Sequence, residues 1–364
     1  MSIESLFAPL QIKNLRLRNR FVMAPMSRYQ NDSGIPNDDF VEYHRLRAAG
    51  ELGLTITGAT AVDRVAANSH PKLANINEKA RAGWEKVVQA VHAEDCPIVL
   101  QLWHAGSLHN LDPDWKPGPL ESPSGLQAPG MKVGDPMTDE QIADCIEAFA
   151  RAAQMAMEIG FDTVEIHAAH GFLLDEFFWG GTNQRQDRWG GKTLAERSRF
   201  VVEVIRAVKA VIGMEAPLLL RISQWKEQDY GVKLVNSPAE LEAWLDPLLD
   251  AGTDVLDCSQ RRFWEEEFPG SDLNFAGWVK KVTGVPVITV GSVGLSNDVM
   301  SFFHGETARR TPLDELVRRF EAGEFDLVAV GRALLADPEW IVKIRQGREQ
   351  EMEDLTIDQI RSWV

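Results

Sequence analysis

The sequence predicts an α/β fold, a single closed (β/α)8 TIM-type barrel with long loops after its third and fourth strands, and three observations carry that reading. A short apolar, β-branched run, a polar loop and a stretch of helical spacing recur as a unit eight times along the 364 residues. Most of the runs are continuous rather than alternating, as strands covered on both faces are. No interdomain linker or low-complexity segment interrupts the series, which favours a closed barrel over an open doubly wound sheet.

In chain order the candidate strands are NRFVMAP (19–25), LTITGATAV (54–62), PIVLQLWH (97–104), TVEIHA (163–168), PLLLRIS (217–223), VLDCSQ (255–260), VPVITVG (285–291) and LVAVGRA (327–333). Helical spacing follows over 78–94 and over 139–160, the latter opened by Thr138 as N-cap and stopped by Gly160. Ser237 and Pro238 open another helix that Gly252 ends. Residues 105–137, rich in Pro and Gly, and 171–193, rich in aromatics and Gly, are too long for turns and lie over the C-terminal mouth of a barrel. The barrel is expected to span 1–348, with 349–364 a solvated, helical tail.

Composition narrows the function classes. With 44% hydrophobic and 25% charged residues the chain is an ordinary globular one. Lys plus Arg number 38 against 54 Asp plus Glu, a net charge of −16 that repels a phosphate backbone, so nucleic acid is not expected as a partner. Cys96, Cys145 and Cys258 form neither a disulfide framework nor a zinc spacing. No basic-then-apolar leader and no membrane-length apolar run is present, so the reading is a cytoplasmic enzyme of small molecules. The acidic surface is compatible with a monomer or a homo-oligomer.

The informative polar residues sit at strand ends, because strand interiors are committed to packing. Strand 1 ends in Pro25-Met26-Ser27 with Arg28 and Tyr29, strand 2 passes Ala59, and strand 3 carries Gln101 and His104. His167 and His170 end strand 4, and Arg221 lies on strand 5. No predicted strand ends in a lysine or a carboxylate pair, which counts against Schiff-base and glycosidase chemistry. Gly291 and Gly331, with Arg332, suit a phosphate between strands 7 and 8, or simply tight turns. A His-x-x-His pair lacks an obvious third metal ligand, so no metal is expected, and two imidazoles donating to a substrate oxygen is the better reading. Gln101 suits the edge of a heterocycle and Arg221 an anionic ring, or else a buried ion pair.

Four fragments in order at strand ends, NRFVMAPMSR, QLWHAG, EIHAAHGFLLDEFF with TNQRQDRWGG, and VGRALLADPEW, resemble the Old Yellow Enzyme family of FMN-dependent oxidoreductases. The resemblance implies that Ala24, Pro25, Met26, Ser27, Ala59, Gln101 and Arg221 hold the flavin ring. Gly291, Ser292, Val293, Gly294, Gly331 and Arg332 would take its phosphate. His167 and His170 would bind the oxygen of a substrate stacked over the ring, beside Tyr29 and Phe172. It further implies hydride transfer from NADH or NADPH through FMN to an activated alkene, an α,β-unsaturated carbonyl compound.

Several positions depart from the family pattern. Ser27 stands where related chains carry cysteine, and Ser107 replaces the arginine that often follows HAG, a change expected to reshape the mouth. Trp189 replaces a motif tyrosine, read as packing. Phe172 occupies the place of the tyrosine that protonates the substrate carbon. Only Tyr29, Tyr43 and Tyr230 exist in the chain, and Tyr29 is the expected substitute, with Tyr230 behind it. The missing donor also admits nitro reduction, isomerisation or desaturation. Other readings are a metal-dependent barrel hydrolase using His104, His167 and His170, and a flavin-binding barrel without turnover.

Overall fold

The computed structural model describes residues 3–356, apart from Asp32, 110–114, Lys116 and Glu353. Eight parallel strands form the barrel: β1 (Phe21–Met23), β2 (Leu54–Ile56), β3 (Ile98–Trp103), β4 (Thr163–His170), β5 (Leu219–Lys226), β6 (Val255–Ser259), β7 (Val287–Val290) and β8 (Leu327–Val330). Each pairs with the next, and Val328 of β8 registers with Phe21 of β1, which closes the ring. The predicted second strand is split, with Thr60–Ala61 pairing separately to β3. Gly58 sits at the break because the chain passes so close to Met26 that a Cβ there would lie 2.5 Å from its carbonyl oxygen.

The strands are buried on both faces, so alternation survives only as a choice between two cores. Phe21, Leu100, Val164, Leu220 and Val328 point outward to the helices. Val22, Leu54, Val99, Leu219, Val255, Ile288 and Leu327 point inward. A hairpin of Leu10–Ile12 and Leu15–Leu17, absent from the sequence reading, plugs the N-terminal end with Ile12, Leu15 and Leu17. One step up each strand, the inward positions are Ala24, Gln101, Glu165, Arg221, Asp257 and Ala329, at the floor of the open mouth.

The helix signals behave as their chemistry requires. Thr138 and Gln141 form a reciprocal capping box, and Gly160 closes Asp139–Ile159 at φ 107°. Ser237 caps Pro238–Asp250 through the Glu240 amide. In the loop after β4, Leu173–Phe178 is a short helix whose Phe177 and Phe178 are buried in the outer core, so these aromatics are cover rather than a lid. Of the tail expected over 349–364, Met352 and Leu355 pack against the barrel, and 357–364 lies outside the described residues. The three cysteines are buried and unpaired. No helix among the described residues is long and apolar enough to cross a membrane.

One sequence expectation is corrected here. β5 runs through a register shift after Ile222 and ends at Lys226, so a strand does end in lysine. Its Nζ turns away from the mouth to Asp175, 2.8 Å away, with both side chains fully buried. A lysine so paired is a structural cation and not a free amine nucleophile.

Candidate active site

A cavity of about 460 Å³ opens at the C-terminal ends of the strands, in the size range of small-molecule and cofactor sites. Ala24, Pro25, Met26, Ser27, Tyr29, Ala59, Gln101, His167, His170, Phe172, Arg221, Gly291, Ser292, Val293, Gly331 and Arg332 all line it. Gly294 does not. At φ 71° it turns toward Trp340, whose ring a Cβ would meet at 3.0 Å. Tyr29, His170 and Ser292, all non-glycine, sit at φ 49°, 66° and 55°. Held left-handed backbone of this kind is a mark of sites whose geometry is over-determined by their surroundings.

The floor is a buried polar network. Gln101 Nε2 donates to Glu165 Oε1 at 2.7 Å. Arg221 donates through Nη1 to Asp257 and through Nη2 to Ser259 Oγ at 3.4 Å. Burial and the adjacent Asp257 charge push the Glu165 carboxyl well above the usual range, so the two carboxyls hold a proton between them beside one guanidinium. Arg221 is thus both the buried ion pair and a cavity-lining cation, the two alternatives its sequence position left open.

Above the floor, His167 and His170 meet edge to face at 5.0 Å between centroids. Burial, then Arg221, lowers His167 to about 3, and burial, His167, Arg221 and Lys226 hold His170 well below its ordinary value, so both imidazoles are neutral. His167 Nδ1 is buried with no partner among the described residues. His170 Nε2 lies 2.7 Å from Ser259 Oγ. Ser259 Oγ also accepts from Arg221, and it shares one proton with His170 Nε2.

One wall is a stack. Trp225 lies on His170 at 4.3 Å and 23°, Tyr230 on Trp225 at 5.1 Å and 14°, and Arg261 over Tyr230 at 5.2 Å. Phe172 packs edge-on between Trp103 at 5.1 Å and His167 at 5.3 Å. At the far end Arg332 donates to Asn297 Oδ1 at 3.2 Å and Ser292 Oγ at 3.3 Å, and makes no ion pair among the described residues. Burial lowers it to about 10, still cationic at neutral pH.

Other positions of interest lie elsewhere. His104 is buried against Glu121 at 2.8 Å, off the cavity, so it does not join the histidine pair as a third ligand. Ser107 is buried, its backbone N–H and hydroxyl on Glu176, and it does not line the cavity. Trp189 is packing, its Nε1 on Asp139 at 2.6 Å. Tyr43 is buried between Arg28 and Arg47. Sequence reasoning missed Trp225 and Glu227. Strand 5 is expected from the sequence to stop at Ser223, whereas β5 continues through a bulge to Lys226 with Glu227 directly after it, and the position of QWKE straight after a barrel strand was the available signal.

With the geometry in view, likeness to known proteins decides the family. The profile of the NADH:flavin oxidoreductase / NADH oxidase family matches residues 5–351. An NADPH dehydrogenase of Halalkalibacterium halodurans is 33% identical over 340 residues, 92% of each chain. An NADH oxidase of Thermoanaerobacter brockii is 32% identical over 370 residues, 96% of this chain and 52% of that protein. Morphinone reductase in complex with tetrahydroNAD superposes with a TM-score of 0.79 at 26% identity, over 98% of this chain and 94% of the other. A cavity at the barrel mouth, a family match over nearly the whole chain and a relative covered over 92% of its own length have one meaning: the chain belongs to the NADH:flavin oxidoreductase / NADH oxidase family and is an FMN-dependent oxidoreductase.

Proposed function

We propose that FMN lies across the mouth with its ring among Ala24, Pro25, Met26, Ser27, Ala59, Gln101 and Arg221. Its phosphate lies among Gly291, Ser292, Val293, Gly331 and Arg332, with Gly294 only the turn that ends that segment. One observation carries this reading: a single cavity joins an arginine without a carboxylate partner, Arg332, to a neutral histidine pair with an unfilled Nδ1. The first fits a phosphate, the second a substrate oxygen. FMN, when bound, supplies hydride chemistry between NADH or NADPH and the acceptor.

The acceptor class we propose is an α,β-unsaturated carbonyl compound. His167 Nδ1 and His170 Nδ1 donate to its oxygen, which draws electron density from the β-carbon and stabilises the enolate that develops. Neutral imidazoles suit this task because they donate without presenting a charge that water would screen. Phe172 forms an apolar wall for the substrate, and Tyr29 gives the proton that Phe172 has no group to give. Reduction of a nitro group is the second reading, favoured by Phe172 because protons then go to oxygen and not to carbon. Three unpaired buried cysteines support a reducing, cytoplasmic setting.

The test is spectroscopic. Purified protein is expected to show a flavin spectrum that bleaches under anaerobic NADH or NADPH and recovers on adding 2-cyclohexen-1-one. Recovery with a nitroaromatic but not the enone selects the second reading. A protein that cannot be reconstituted with FMN overturns both.

A further inference from the structure

Glu227 is the only carboxylate lining the cavity among the described residues. It follows the bulged end of β5, and its backbone N–H donates to the His170 carbonyl at 3.0 Å, which ties it to the histidine end of the mouth. Its carboxylate has no hydrogen bond or ion pair among the described residues. The nearby cations are committed elsewhere: Lys226 to Asp175, and Arg261 to Asp298 at 2.8 Å and the Tyr230 ring. An unpaired carboxyl in a cavity otherwise free of acids has no structural task that the contacts reveal.

The groups facing it are titratable. Tyr29, from the loop after β1, and Tyr230, from its own loop, are both raised to about 12, chiefly by burial and next by the Glu227 charge. Tyr29, Tyr230 and Glu227 line the same cavity, so the carboxyl and both phenols open onto one space at the mouth. Glu227 lines the cavity, and more than a third of its surface is open to solvent. Desolvation by the surrounding cavity wall lifts its carboxyl to about 7, where a large share of it carries a proton at neutral pH.

We propose that Glu227 is the proton source of the site, restoring to Tyr29 the proton that Tyr29 gives to the substrate carbon. The proposal rests on the reading of Tyr29 above and deepens it. As the β-carbon takes hydride, a C–H bond forms at the α-carbon while the Tyr29 O–H bond breaks and its electron pair stays on the phenolate oxygen. The Glu227 O–H bond then breaks to remake the phenol, and the carboxylate left behind takes a proton from water at the mouth. A phenol near 12 leaves a strongly basic phenolate, so transfer from Glu227 is downhill. Without such a donor each turnover waits on water at a partly enclosed phenol.

The experiment compares holoenzyme with Glu227→Gln, Glu227→Asp and Tyr29→Phe. Stopped-flow rates of reduction by NADPH and of reoxidation by 2-cyclohexen-1-one are recorded against pH. In wild type the reoxidation rate is expected to fall as pH rises through about 7. Glu227→Gln should lower the ratio of reoxidation to reduction rate about a hundredfold at acidic pH and abolish that limb, and Glu227→Asp should restore the limb. Infrared pH-difference spectra of the holoenzyme give a second readout: a carboxylic acid C=O band titrating near 7 in wild type and in Tyr29→Phe, absent in Glu227→Gln. Wild type reoxidised by the enone with the limb or the band unchanged in Glu227→Gln overturns the relay alone. Wild type that NADPH reduces but the enone never reoxidises overturns the reading of the acceptor with it.

Discussion

Across the barrel mouth two arcs face each other, and their inward side chains differ in kind. On β3 to β6 the floor carries Gln101, Glu165, Arg221 and Asp257, with Ser259 and His170 above them, linked by the hydrogen bonds of Gln101 to Glu165 and of Arg221 to Asp257 and Ser259, and by the Ser259–His170 contact. On β7, β8 and β1 the cavity is lined by Val290, Ala329 and Ala24, with Ile56 of β2 buried in the same inner core, and these hold nothing but shape. The difference teaches how one barrel serves a cofactor and a reaction together: one arc supplies charge and proton positions, the other a smooth surface that a flat ring can approach. Free glycine and alanine positions such as Gly331, where an added Cβ would meet only Met26 Sδ at 3.3 Å and Ala24 Cβ at 3.7 Å, keep that second surface low.

The sharpest break of the comparison is removal of the single cation on the polar arc. Arg221→Met leaves Asp257 and Glu165 facing each other with no guanidinium, and breaking such a buried pair costs about 3–5 kcal/mol. Urea denaturation is expected to show that loss, with FMN content falling in parallel. Adding Asp257→Asn removes the orphaned charge and should recover a large part of the stability without recovering FMN affinity. If the double variant is no more stable than the single one, the pairing on this arc is not what holds it.

A second test uses pH. His167 is held near 3 in the folded chain against 6.5 for a free imidazole, so between these values the unfolded chain binds more protons. Stability is therefore full above about pH 6.5 and falls as pH drops below it, by at most about 1.4 kcal/mol per pH unit from this group. His167→Asn should flatten that part of the acid limb in urea titrations. A limb of the same slope would show that other groups, such as His44, which burial lowers to about 4, carry it.

How far the two arcs were legible differs for a physical reason. The barrel itself was readable because eight doubly covered strands leave eight apolar runs, and Thr138 and Gly160 announce their helix by local capping chemistry. Gln101, His167, His170 and Arg221 stood out as polar residues inside such runs. The network linking them did not, because the Arg221–Asp257 and Gln101–Glu165 contacts join strands far apart in sequence, and a continuous run conceals which residues point inward. The plugging hairpin Leu10–Leu17 was missed because three-residue strands are too short for any period to show. Glu227 was missed because β5 continues through a bulge that reads as loop.

Phe172 lies where the arcs meet the substrate, and Phe172→Tyr sharpens the contrast in activity. The ring is already held between Trp103 and His167, so a hydroxyl is added to a placed aromatic. If carbon protonation limits the native enzyme, enone reoxidation should rise about a hundredfold, the low end of what general acid catalysis supplies. Stopped-flow reoxidation with enone and nitroaromatic side by side checks this. A gain for the enone alone identifies the missing proton as the limit, and no gain for either shows that Tyr29 already meets the need.

The smallest effect belongs to the smooth arc and is informative for that reason. Ile56 is fully buried inside the barrel below the cavity, touching neither the network nor the mouth. Ile56→Val removes one methylene from that packing and should cost about 1 kcal/mol by urea denaturation. Because the apolar arc acts through shape alone, the loss should be independent of pH, unlike every change made opposite it. A pH-dependent loss at Ile56 would mean that the two arcs are coupled through the floor, and that the apolar strands set the spacing between Glu165 and Asp257 as well as the surface beneath the ring.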